Sequence, residues 1–124
     1  MLKNKFLYTV AAIAALVLFT AAGTPPAIAH HGWSEYNSER VLNLTGEIQT
    51  IGYSSPHVVV QLQTADRLWL AVLAPPTRLQ SRGLPQTALE VGQTVSLVGY
   101  PHRAEPNEMR AERITVGEQT VELR

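Results

Sequence analysis

His57-Val58-Val59-Val60-Gln61-Leu62-Gln63, then Thr64-Ala65-Asp66-Arg67, then Leu68-Trp69-Leu70-Ala71-Val72-Leu73, is the stretch that decides the fold. Two β-branched or apolar runs separated by a short polar turn read as an antiparallel hairpin, strands 2 and 3. Pro75-Pro76 follows, and Thr77 to Arg82 reads as a short helix with Thr77 as N-cap and Gly83 as its stop. Upstream, Val41 to Ile51 reads as strand 1, where Val41, Asn43 and Thr45 alternate with Leu42 and Leu44 and Gly46 permits a bend or bulge. Gly52 to Pro56 is a loop that sets where strand 2 begins. Downstream, Thr94 to Tyr100 alternates with Val95, Leu97 and Gly99 on one face, Pro101 to Glu108 is a polar loop, and Arg110 to Val116 is a fifth strand. A last short strand spans Gln119 to Leu123. Three strands, a short helix and two or three more strands give an all-β, OB-fold-like barrel of five to six strands, with its one helix between strands 3 and 4.

The chain of 124 residues opens differently. Met1 to Lys5 is basic, Phe6 to Ala22 is apolar, and Gly23-Thr24-Pro25-Pro26 breaks the run before Ala27-Ile28-Ala29. That order predicts a signal peptide over residues 1–29, an N-terminal arm over 30–40 and the barrel over 41–124. The apolar run is short for a span of about 20 residues, so membrane contact is expected only through the leader, with a periplasmic or secreted product. The remaining 95 residues suit one small domain. Both lysines lie in the leader, leaving eight arginines against ten carboxylates, a net charge of −2 with no global field for nucleic acid. The absence of cysteine excludes disulfides, thiol chemistry and thiolate metal sites.

Cutting after Ala29 makes His30 the first residue, with an α-amine and an imidazole that can chelate one ion. His31 follows, His57 begins strand 2 after a proline turn, and His102 stands after Tyr100-Pro101. Imidazole is the commonest metal ligand and divalent copper the tightest-binding first-row ion at nitrogen sites, so copper is expected, with zinc second. The plainer reading of His30 and His31 is a frayed terminus. For His57 it is a hydrogen-bonded residue where the strand begins, and for His102 an exposed loop residue.

No Gly-x-Ser-x-Gly elbow, phosphate-binding glycine loop or His-Glu-x-x-His is present, so no catalytic residue is assigned and no enzyme is expected. Glu35 and Glu39 read as surface charge. Trp69 reads as core, Tyr100 as rim packing, and Trp33 with Tyr36 as the pins of the arm.

His30-His31-Gly32-Trp33 with Tyr36, Leu44-Thr45-Gly46, Ser55-Pro56-His57, Gly99-Tyr100-Pro101 and Asn107 with Arg110-Ala111 together resemble a family of short exported bacterial proteins of unknown function. Its members begin after the leader with paired histidines, a small residue and an aromatic, and carry an Asn-Pro-His turn and a Gly-Tyr-Pro loop. The resemblance implies a small OB-type barrel and points at His30, His31 and His57. Ser55 stands where the family has asparagine, Gly32 where it has serine and Asn37 where it commonly has an acid; His102 matches no family motif.

The leading expectation is a non-catalytic barrel that binds copper through His30, His31 and His57, with His102 as an optional fourth ligand. The alternatives are an adaptor that binds a peptide or oligosaccharide, or a periplasmic protein partner, with the histidines incidental, and a small copper oxidoreductase.

Overall fold

The computed structural model describes residues 32–124; the predicted leader, His30 and His31 lie outside the described residues. The chain from Gly32 runs through a 3₁₀ turn, η1 (Gly32–Glu35), into β1 (Leu42–Gly52), β2 (Val59–Gln63) and β3 (Leu68–Val72). The helix α1 (Pro76–Ser81) and a second 3₁₀ turn, η2 (Gln86–Ala88), lead to β4 (Thr94–Pro101), β5 (Glu108–Val116) and β6 (Gln119–Glu122). β1 pairs with β2 and β4, β2 with β3, β4 with β5, and β3 closes the ring by parallel pairing with β5. The result is the expected all-β architecture: a closed five-stranded barrel, one short helix between β3 and β4, and an extra strand, β6, on β5.

Closure forces two strands to divide their edges. β1 pairs with β4 from Leu42 to Glu47 and with β2 from Glu47 to Gly52, so it must bend where it changes partner. A bulge between Ile48 and Thr50 supplies the bend. Gly46 does a different job from the one its position suggests: a Cβ there would fall on the carbonyl oxygen of Gln63, so the glycine permits the close approach of β2. β5 gives Glu108–Arg110 to β3 and Arg113–Val116 to β6, and pairs β4 along its length. Its bulge falls opposite Val98 and Gly99, and a Cβ at Gly99 would fall on the carbonyl oxygen of Arg110.

The alternation read from β4 places Val95, Leu97 and Gly99 inside, where Val95 and Leu97 join Ile48, Val60, Leu62, Ile114 and Leu123 in one buried cluster. Each such side chain contributes about 1.5–3 kcal/mol on burial. Trp69 belongs to this core, as expected, with the Arg67 guanidinium 5.4 Å from its ring centroid.

Thr77 does not cap α1. Pro75 holds the N-cap position without a side-chain hydrogen bond, and Pro76, whose fixed φ suits a first helical residue, starts the helix one residue earlier. The stop is as read: Gly83 takes φ +86°, the Gly83 N–H donates to Gln80 O at 3.1 Å and the Leu84 N–H to Leu79 O at 2.8 Å. That pair of bonds is a Schellman closure, and Leu79 and Leu84 are both fully buried beneath it.

Replacing Gly99 with alanine is expected to lower unfolding stability by about 2–3 kcal/mol, because backbone must move to admit the methyl group. Urea denaturation followed by far-UV circular dichroism measures it. The same change at Gly92, whose added Cβ would meet nothing within 4 Å, serves as the unclashed comparison and costs only the strain of its left-handed φ of +90°.

Candidate functional site

β5 begins Glu108-Met109-Arg110-Ala111, with Met109 and Ala111 in the core. Strand alternation then turns Glu108 and Arg110 to the outer surface. Arg110 is nevertheless only 6% exposed. The arm covers it. The Trp33 ring lies 4.7 Å from the Arg110 guanidinium and 4.7 Å from that of Arg124, with the Tyr100 ring edge-on at 6.2 Å. Tyr36, buried and next to Glu108, donates its hydroxyl proton to Glu108 Oε1 at 2.6 Å. Backbone bonds fasten the same segment: Asn37 N–H to Pro101 O at 2.9 Å, Arg103 N–H to Glu35 O at 2.9 Å, and a Tyr36–His102 bridge. Trp33 and Tyr36 thus pin the arm to the barrel.

Arg110 has no direct carboxylate partner among the described residues. Its Nη2 lies 3.2 Å from His57 Nε2, and the nearby Tyr36 hydroxyl is bonded to Glu108. Arg110 Nε is buried without a hydrogen-bond partner. Burial lowers the affinity of this guanidinium for its proton, with Arg78 adding like-charge repulsion and Tyr36 opposing both. The Tyr36 phenol moves the other way, well above the usual phenol range, first because it is buried and then because its proton is held by Glu108. A second pair repeats the motif nearby: Tyr100 donates to Glu112 Oε2 at 2.6 Å, which raises its pKa, and Arg124 stands 3.6 Å from the other Glu112 oxygen.

The network fixes the histidines. A guanidinium only donates, so His57 Nε2 accepts, and the neutral ring carries its proton on Nδ1. His102 is set the opposite way. Its Nδ1 accepts the backbone N–H groups of Ala104 at 3.0 Å and Glu105 at 2.9 Å, which leaves the proton on Nε2, 3.8 Å from Glu35 Oε2. His102 also packs edge-on to Tyr36 at 5.1 Å. The structure therefore brings His57 and His102 to one network, on the Arg110 side and the Tyr36 side, and spends one ring lone pair of each inside it. Among the described residues no group of three or more His, Asp or Glu side chains is placed to hold a metal ion. His30 and His31 lie outside those residues.

The residue that organises the site, Arg110, reads in the sequence as the start of the fifth strand and as part of the Arg110-Ala111 motif of the resemblance, one of several charges in that strand, with nothing to mark it as buried. Glu108, read as loop, starts β5 because it pairs with Leu70 of β3.

A model of a family of unknown function, DUF6152, matches residues 17–109. The chain belongs to this family. No curated protein matches it. Among solved structures, the ZRD-deleted mutant of TiaS in complex with agmatine is similar with a TM-score of 0.53 and 17% identity, over 70% of this chain and 27% of that one. TiaS in complex with a tRNA and ATP is similar with a TM-score of 0.50 and 20% identity, over 72% of this chain and 20% of that one. The DUF6152 chain thus spans about a quarter or less of the TiaS chain, and at these identities the likeness is one of fold.

Tyr36→Phe tests the bond between Tyr36 and Glu108. A folded-state pKa above the unfolded value of 10 means that Tyr36 stabilises the fold fully below pH 10, and that this contribution falls as pH climbs beyond it. Urea midpoints between pH 8 and pH 11 are expected to drop in the wild type and to drop less steeply in Tyr36→Phe. At pH 8 the variant is expected to be weaker by about 1 kcal/mol for the lost hydrogen bond.

Proposed function

We propose that this DUF6152 protein is an exported, non-catalytic barrel whose N-terminus captures a transition-metal ion, copper before zinc, for carriage, storage or sensing in the periplasm. His30, exposed by cleavage after Ala29, supplies its amine and ring nitrogen, and His31 a second ring. The observation that carries this reading is the anchoring of the arm. A terminus ordinarily frays. Here Trp33, three residues after His30, is held by two guanidinium groups, and Tyr36 is locked onto Glu108. A chelate formed next to an anchored segment loses less conformational freedom than one on a free tail.

The anchor shares its network with His57, which supports His57 as the third ligand: a metal ion would take the Nε2 lone pair that Arg110 now engages. That exchange sets a cation beside a cation, so His57 binds more weakly than the terminal pair. His102 contributes through the arm, since its Nδ1 already holds the loop and its ring packs on Tyr36. The ligand set contains no thiolate and uses borderline nitrogen donors, which suits divalent copper.

The test is a copper(II) titration of the secreted protein, its first residue established by mass spectrometry, at a pH where imidazole is free of protons. One equivalent is expected to bind, with quenching of Trp33 fluorescence and a nitrogen-rich copper signal in electron paramagnetic resonance. His30→Ala, or one extra residue ahead of His30, is expected to weaken binding about 100-fold, and His57→Ala about tenfold. Binding unchanged by the first two variants, or a mature chain that starts elsewhere, rejects the chelate.

A further inference from the structure

We infer that the open end of β3 and the β4–β5 loop form a docking cleft for an extended basic peptide, a site separate from the histidines. Thr64 N–H donates to Arg67 O at 3.0 Å across the turn between β2 and β3. Antiparallel alternation makes Leu62–Trp69 the next bonded pair, and so directs the N–H and C=O of Leu68 and Leu70 away from β2. Leu70 satisfies its N–H there on Asn107 O at 2.8 Å. Leu68 lies beyond the start of β5, which pairs from Glu108 opposite Leu70, and takes no such backbone partner among the described residues. Its main chain is one unpaired position at the end of the sheet edge.

Beside that edge lies a cleft of about 210 Å³ lined by Leu70, Glu105, Pro106, Asn107 and Glu108. Leu68 and Leu70 stand 40% and 38% exposed on the same face of β3, an apolar pair on a barrel whose other strands turn mainly polar side chains outward. Neither cleft carboxylate forms an ion pair among the described residues; Glu108 engages one oxygen with Tyr36, and Glu105 is exposed. The adjacent cation, Arg67, is drawn over the Trp69 ring. An unpaired main-chain position at Leu68, an apolar floor and two carboxylates suit an extended peptide that bonds the Leu68 main chain while placing an arginine or lysine between Glu105 and Glu108 and an apolar side chain against Leu70. An acidic peptide meets like charge, and a sugar oligomer makes no use of the sheet edge.

The experiment is a titration of the ¹⁵N-labelled secreted protein with the capped peptide Thr-Arg-Val-Arg-Thr, with Thr-Glu-Val-Glu-Thr and a maltohexaose as competing occupants. The basic peptide is expected to shift the Leu68, Leu70 and Asn107 amide signals below about 1 mM and to slow hydrogen exchange at Leu68 about tenfold. Glu105→Gln and Leu70→Ser, both on exposed or half-exposed positions, are each expected to weaken binding at least about fivefold with an unchanged circular dichroism spectrum. Four results overturn the inference: no shift at these amides, equal response to the acidic peptide or the sugar, concentration-dependent shifts of the same amides without peptide, which would mean self-association, or insensitivity to both variants. Copper plays no part in the measurement, so its outcome is independent of the metal reading.

Discussion

A buried guanidinium governs the arrangement of this molecule. Arg110 emerges on the outer side of β5, where a charged residue would ordinarily face water, yet it is almost wholly covered. Removing a charge from water without partners is costly. The arm replaces that water with the Trp33 ring face and sets the Tyr36 phenol, itself bonded to Glu108, nearby, while His57 accepts from Nη2. The dependence runs in both directions. Without the arm, Arg110 exchanges these partners for water; without Arg110, Trp33 loses one of the two guanidinium groups that hold it among the described residues. Arm and barrel therefore behave as one folding unit although one is irregular chain and the other a closed sheet.

The barrel was readable because its determinants are local. The β2–β3 turn, the Val95–Leu97–Gly99 alternation and the Gly83 stop each reveal themselves within a few residues, and their order fixes the topology. The misreadings share a cause, which is dependence on what lies outside the few residues being read. Gly46 carries no mark of the carbonyl of Gln63 that it must clear, so it reads as a bulge while the bulge itself falls at Ile48–Thr50. Glu108 reads as loop until Leu70 is known to lie opposite it. Thr77 has the side chain of an N-cap, and loses the position because two prolines before it already preset helical entry.

The site was legible in a different and thinner sense. Residue types were visible, and four histidines at chain or loop ends invited a ligand reading. Lone pairs were not visible. Whether an imidazole is available to an ion depends on what already occupies its nitrogens, and the sequence names no such partner: Arg110 for His57, the turn at Ala104–Glu105 for His102. The two rings are even set in opposite tautomers by these partners. The same information explains why Trp33 and Tyr36 could be recognised as pins from their aromatic bulk, whereas the groups they pin against could not.

Near-neutral composition conceals a division of charge across β5. Toward the arm, the buried Arg110 and the exposed Arg124 flank the Trp33 ring, held by an aromatic face and, for Arg124, by the Tyr100–Glu112 pair. Toward β3, Glu105 and Glu108 line a cleft with an apolar floor. Glu108 belongs to both sides, since one of its oxygens takes the Tyr36 proton while the residue lines the cleft. Screening separates exposed charges over about 10 Å at moderate salt, but Tyr36 is buried and its bond to Glu108 is short, so the two sides meet where water screens least. One carboxylate therefore contributes both to polarity at the mouth of the cleft and, after burial, to the proton affinity of the arm's phenol, and that carboxylate is positioned by the parallel pairing of β3 with β5 that closes the barrel.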